Sequence, residues 1–220
     1  MFLGHFALGF AARPLAPKQG LGPLLLAPML LDVVAPVLLA LGVERARVEP
    51  GQTEFFPLVL EALPWSHSLL AAAVWSAVWG VAVLALTRDR RGALVGAALV
   101  TSHWLLDWIA HAPDLQLVPW EERRVGLGLW RSLLATFALE LPVWAAGCAV
   151  YLRTTRPRDE LGRRAPLALM LALLCAYLAT PFAPLPGSIL LVASGMLVGI
   201  GLVVGIGAWF DRRRDVVVGG

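Results

Sequence analysis

Apolar residues in this chain fall into long runs separated by short charged clusters, and that alternation predicts successive bilayer-crossing helices rather than one soluble core. Measured against the roughly 20 residues a helix needs to cross a bilayer, the runs predict spans at about 22–42, 65–87, 92–111, 129–152, 165–181 and 187–209. A further apolar stretch covers the first dozen residues and ends at Arg13-Pro14. At 1.5 Å per residue it reaches only about 18 Å, which predicts a short, partly inserted helix packed against the others. The expected fold is therefore all-α: a polytopic transmembrane helical bundle of six spans plus a short amino-terminal helix. It forms a single membrane domain over 1–220, with the polar site in 1–115 and supporting helices in 129–210.

Smaller signals refine single elements. Pro23, Pro28 and Pro36 surround Asp32 in the first span, which predicts a bent or opened helix with freed backbone groups near the carboxylate. Gly195, Gly199, Gly201 and Gly205 form two small-xxx-small pairs in the last span and predict close helix contact within the bundle. Trp65, Trp120 and Trp130 lie near predicted span ends, where an interfacial belt would hold them.

Composition agrees with this pattern and narrows it. Hydrophobic residues make up 59% of 220 positions and charged residues 15%, with a mean hydropathy of +0.75, far from soluble-domain usage. No sizeable soluble domain fits in the remaining length. The net charge of +3 comes from short basic tracts between or after apolar runs, which carry topology information and exclude a nucleic-acid patch. Thirteen Lys and Arg fall in the loops around Arg13, Arg88, Arg153 to Arg164 and Arg212, against five at Arg45, Arg47, Arg123, Arg124 and Arg131. By the positive-inside rule both termini are expected to be cytoplasmic. Cys148 and Cys175 lie inside apolar runs and read as small buried hydrophobes. The amino terminus has no basic region before its apolar stretch and no clear cleavage site, so His5 is expected in the mature chain.

The chemistry concentrates in the first half, which holds all four histidines. His103, Asp107 and His111 recur at i, i+4 and i+8 and so share one helix face. A histidine and a carboxylate one turn apart can bind one metal ion together, although a plain hydrogen-bonded pair has the same spacing. Ionisable groups in hydrocarbon cost about 2.5–3.5 kcal/mol each and persist where they face a partner or a wet cavity. Asp32 and Asp107 have no Lys or Arg inside the first three spans to neutralise them. Their partners are therefore histidines, a bound cation or protons. His67 enters the second span on the side where the third span ends, and His5 lies in the short amino-terminal helix. Glu140, beside Pro142, is the one acidic group within spans four to six, and the sequence leaves its role open.

His5-x-x-x-Gly9, Asp32 in its proline-flanked run, Ser66-His67-Ser68-Leu69 and Ser102-His103-x-x-x-Asp107 occur in an order that resembles the bacterial membrane-bound metal-dependent hydrolase family. The resemblance covers about the first 115 residues. It implies metal ligands at His5, Asp32, His67, His103 and Asp107, and the His-x-x-x-Asp element is also similar to part of the zinc site of bacterial phospholipases C. Where family members often carry Pro-Asp-x-Asp and an upstream His-Arg, this chain has Leu31-Asp32-Val33 and Leu63-Pro64-Trp65.

The leading expectation is a hydrolase of the bacterial inner membrane holding one divalent ion, zinc by preference, at Asp32, His67, His103 and Asp107. His5 would be a further ligand or a supporting partner, and His111 a catalytic proton shuttle or substrate contact. The expected partners are the lipid bilayer and a phosphoester or lipid-like small molecule, with no nucleic acid; oligomeric state is not encoded legibly. A proton- or ion-coupled transporter and a non-catalytic membrane scaffold are the competing classes.

Overall fold

The computed structural model describes residues 1–184 and 186–217. A short helix α1 (Phe2–Ala11) is followed by α2 (Leu21–Leu26), a single 3-10 turn (Ala27–Met29) and α3 (Leu30–Ala40), which together make one broken span. Then come α4 (Leu69–Thr87), α5 (Arg90–Ala110), α6 (Leu133–Thr154), α7 (Glu160–Ala179) and α8 (Ile189–Asp211). Among the described residues, six helices are long and apolar enough to cross a membrane, the broken one included. The protein is thus a multi-pass membrane protein, with the short first helix that the sequence predicts.

Three two-stranded antiparallel pairs complete the described fold: β1 (Arg45–Val48) with β2 (Leu58–Ala62), β3 (Leu115–Gln116) with β4 (Arg124–Val125), and β5 (Thr155–Pro157) with β6 (Arg214–Val216). The first two lie in the loops that precede α4 and α6. The third joins the α6–α7 turn to the segment after α8.

Helix starts follow capping chemistry. Ser68, Ser132 and Ser188 accept hydrogen bonds from Ala71, Ala135 and Leu191 N–H groups at 3.1–3.3 Å, and Asp159 accepts from Gly162 at 2.6 Å, satisfying donors that a helix leaves free. Capping by Ser68 and Asp159 explains two boundary differences from the sequence reading. The second span starts at Leu69 rather than 65, because Trp65 to Ser68 form the turn before it. The fifth starts at Glu160 rather than 165, because the helix runs through Arg163 and Arg164 before reaching Pro166.

The short helix α1 forms the centre of the bundle. Leu3, Gly4, His5, Phe6, Ala7, Gly9 and Phe10 are all buried, and α1 touches α2, α5, α6 and α7. Two glycines permit this: a Cβ at Gly9 would lie 2.7 Å from the Leu24 carbonyl, and one at Gly147 of α6 would lie 2.7–2.8 Å from Ala7 backbone atoms. The Gly9 of the His5-x-x-x-Gly9 motif is therefore a packing residue. By contrast α4 buries only Ala71, Ala72 and Ser76 and exposes Val74, Val78 and Val81, as a lipid-facing helix does.

Two packing expectations fail. A Cβ at Gly195, Gly199, Gly201 or Gly205 meets nothing within 4 Å, so these glycines form an open face rather than a contact inside the bundle. The close approaches on α8 lie elsewhere, at Ala208 against Gly22 and at Gly207 against Leu25. Trp65 and Trp120 are exposed, as an interfacial belt requires, but Trp130 is buried against His111 with ring centroids 4.5 Å apart.

Candidate metal centre

Five side chains converge near one end of α1: His5 from α1, Asp32 from α3, His67 from the turn before α4, and His103 and Asp107 from α5. The break in the first span places Asp32. Pro36 has no N–H to give the Asp32 carbonyl four residues back, and the 3-10 turn restarts the helix so that Asp32 falls in its first turn, where free N–H groups favour a carboxylate. On unbroken α5, His103 and Asp107 stack one turn apart, with His103 Nε2 3.0 Å from Asp107 Oδ2.

The other oxygen, Asp107 Oδ1, lies 3.0 Å from His5 Nε2 and 2.6 Å from the Met1 nitrogen. The His5 and His103 rings stack in parallel at 4.0 Å and 6°. His67 Nε2 faces His103 Nε2 at 3.3 Å and lies 3.4 Å from Asp32 Oδ1 and 3.8 Å from Asp107 Oδ2. His103 Nε2 is also 3.8 Å from Asp32 Oδ1. Two triads could therefore each hold an ion, His5–His103–Asp107 and Asp32–His67–His103, with His103 in both.

Each outer ring nitrogen of the facing histidines has a fixed partner. His103 Nδ1 donates to the Pro28 carbonyl at 2.6 Å. Glu44, buried in the loop after α3, accepts from the Trp65 and Ser66 N–H groups at 2.8 Å each and from the Ser66 hydroxyl at 2.7 Å. Since Ser66 spends its one proton on Glu44, its oxygen must accept from His67 Nδ1, which lies 2.8 Å away. In this tautomer an uncharged ring turns the lone pair of its Nε2 inward. The inner surface then consists of two such nitrogens and two carboxylates, with the Met1 nitrogen donating to Asp107 Oδ1 alone and Asp32 Oδ1 and Asp107 Oδ2 left facing the rings. His5 Nδ1 is buried and has no hydrogen-bond partner among the described residues.

Glu140 has a role that the sequence left open. Wholly buried on α6, it accepts the Leu3 N–H of α1 at 3.1 Å, with Trp130 Nε1 at 3.5 Å from its other oxygen. It thus satisfies a free donor at the start of α1 and holds the turn that carries His5. His111 is not drawn into the coordinating cluster. It ends α5, its Nδ1 lies 3.5 Å from Asp114, and its ring packs on Trp130.

The cluster forms the floor of a cavity of about 270 Å³. His5, Asp32, His67 and Asp107 face into it, His111 and Trp130 line one wall, and the remaining walls are almost wholly apolar. Sequence reasoning missed Glu44 and the Ser66 hydroxyl as partners of His67. Ser66 sits within the quoted Ser-His-Ser element, but nothing local ties it to Glu44.

Fold and site together define a multi-pass helical membrane protein with a buried cluster of three histidines and two aspartates able to hold a metal ion. Compared with protein-family models, curated proteins and solved structures, the chain finds no significant match.

Proposed function

We propose that this protein is a membrane-bound metal-dependent hydrolase of the bacterial inner membrane, holding one divalent ion, zinc by preference, between Asp32, His67, His103 and Asp107. The observation that carries the reading is the inward-facing set of lone pairs: two imidazole nitrogens and two carboxylates within 3.0–3.8 Å across each His–Asp or His–His pair. The Met1 nitrogen serves Asp107 Oδ1 at 2.6 Å, but Asp32 Oδ1 and Asp107 Oδ2 still face the two imidazoles, and two carboxylates this close, one of them buried, are stabilised by a further cation between them. Imidazole and carboxylate are the donor set that zinc accepts. The order of motifs, similar to that of the membrane-bound metal-dependent hydrolase family, points the same way.

A bound ion of this kind supplies an acidified water, with a pKa near about 7, and polarises a phosphoryl or acyl oxygen. The chain's own residues do the rest. Asp107 and Asp32 balance the ion's charge, while Pro28 and the Ser66–Glu44 pair hold the two rings in their ligating tautomer. His5, tied to Asp107, is the further ligand or supporting partner. His111, on the cavity wall and outside the cluster, is placed to bind substrate or to pass a proton to Asp114. The substrate class is a phosphoester or lipid-like ester reached from the membrane.

An ion-coupled permease would use the same groups, but it also needs a polar path onward. Beyond His5 the buried positions of α1 are Phe6, Ala7, Gly9 and Phe10, which favours a fixed site. The decisive experiment compares the metal content of the purified protein with that of a His103→Ala, Asp107→Ala double variant. Near-stoichiometric zinc in the first and almost none in the second is expected; equal, negligible metal in both would falsify the reading.

A further inference from the structure

The shape and chemistry of the cavity above the cluster point to its occupant. Resting on the hydrolase reading, we propose that the substrate is an amphiphile whose scissile ester or phosphoester lies on the His–Asp floor and whose hydrocarbon tail occupies the cavity.

Three observations carry this. First, polarity is confined to one end. Apart from the floor groups, His111 and Thr180, the cavity is lined by apolar side chains and the Trp130 ring, and among the described residues no Lys or Arg faces it. A ligand with polar groups along its length would bury them without partners, at the full desolvation cost. A ligand with one polar end and an apolar remainder matches the lining.

Second, one side of the cavity is built from the ends of membrane-crossing helices and the other from the loop that carries β1 and β2. Ala35 and Leu39 of α3, Ala176 of α7, and Val192, Ala193 and Met196 of α8 face the cavity, and all belong to membrane-crossing helices. Ala193 is buried whereas Ala176 is exposed. The cavity thus has an open side along α7, where a chain already in the bilayer can enter sideways without crossing water. Leu58 and Leu60 of β2 close it toward the loops.

Third, the volume admits a hydrocarbon tail. A methylene is close to a water molecule in size, and a water takes about 30 Å³ of the liquid. The 270 Å³ cavity therefore holds at least about nine such groups, enough for a good part of one chain.

The test uses the full-length protein in nanodiscs, loaded with zinc, with a non-hydrolysable n-alkyl phosphonate carrying a photoactivatable diazirine near its tail end. Cross-links should concentrate on the segments around Ala176 and Val192 to Met196. Unlabelled n-alkyl phosphonates should compete about fourfold better per added methylene, the factor expected for burying one CH₂, through at least the first nine or so carbons. Ala193→Trp and Ala176→Trp should each cut labelling of the cavity at least tenfold. Leu171→Trp, on an exposed part of α7, should leave it unchanged. Labelling spread evenly over all lipid-facing helices, or competition independent of tail length, overturns the inference even if zinc binding stands. Cavity labelling in a protein that never binds metal retains the tail site and removes the hydrolase reading instead. Because the wild-type cross-link map is itself diagnostic, a poorly folding tryptophan variant does not rescue a failed result.

Discussion

Removing the Ser66 hydroxyl deprives His67 Nδ1 of its acceptor at 2.8 Å while leaving every proposed ligand in place. In metal sites, partners of this kind are worth 10–100-fold in affinity. Ser66→Ala should therefore weaken zinc binding by about that factor in a chelator competition, with Ser66→Thr close to wild type; unchanged affinity in the alanine variant would refute the positioning role. Glu140 makes a complementary case. Its carboxylate takes the Leu3 N–H inside the bundle, so Glu140→Ala leaves a buried donor unpaired, a loss of about 1–3 kcal/mol, visible as a lower melting temperature. The side chains that converge were legible in part in the sequence, because His103 and Asp107 are tied by helical spacing and Asp32 is marked by its prolines. Glu44 was not: it lies 22 residues from Ser66, and only the β1–β2 hairpin between them brings the two together.

Among the elements, α1 and α6 show how closely two helices can approach when one offers a glycine. Gly147→Ala would drive a Cβ into Ala7 backbone, which cannot yield as a flexible side chain can. Overpacking of this sort costs about 1–3 kcal/mol, and because α1 carries His5, zinc affinity should fall with stability. Gly199→Ala meets open space and should change neither; a large loss there would mean that α8 packs differently. Sequence pattern separated these two glycines poorly. A small-xxx-small spacing marks where close contact is allowed, and whether a partner helix arrives is decided by the whole bundle. At the start of α7, Asp159 accepts from Gly162 N–H and pairs with Arg213 at 2.7 Å. These contacts hold its carboxyl below the ordinary aspartate value of 3.8. A depressed folded-state pKa stabilises at pH above the unfolded value and is lost as pH falls through the folded one. Asp159→Asn, which keeps a cap without titrating, should show a smaller loss of thermal stability than the wild type between pH 5 and pH 3 in a buffer series.

For the whole molecule, the basic residues at 153–164 and 212–214 against the sparser set at 45–47 and 123–131 set the proposed orientation. With Cys148 and Cys175 replaced, a cysteine at exposed Arg156 should resist an impermeant thiol reagent in intact cells, and one at exposed Gln52 should react; the reverse would invert the topology. The six spans were readable from hydropathy because each apolar run, 19–23 residues long, is about the length a bilayer crossing needs. The central place of α1 was not, since a helix too short to cross could as well have lain along the membrane surface. That place also constrains the order of biogenesis. As the chain is synthesised, α1 can meet α2 and α5 early but α6, its most extensive partner, and α7 only late, so one side of the piece bearing His5 stays uncovered until the later helices leave the insertion machinery. On the metal-site proposal, ion capture would then be a late event, and a chain halted after residue 115 would carry every proposed ligand without α6 to close the site.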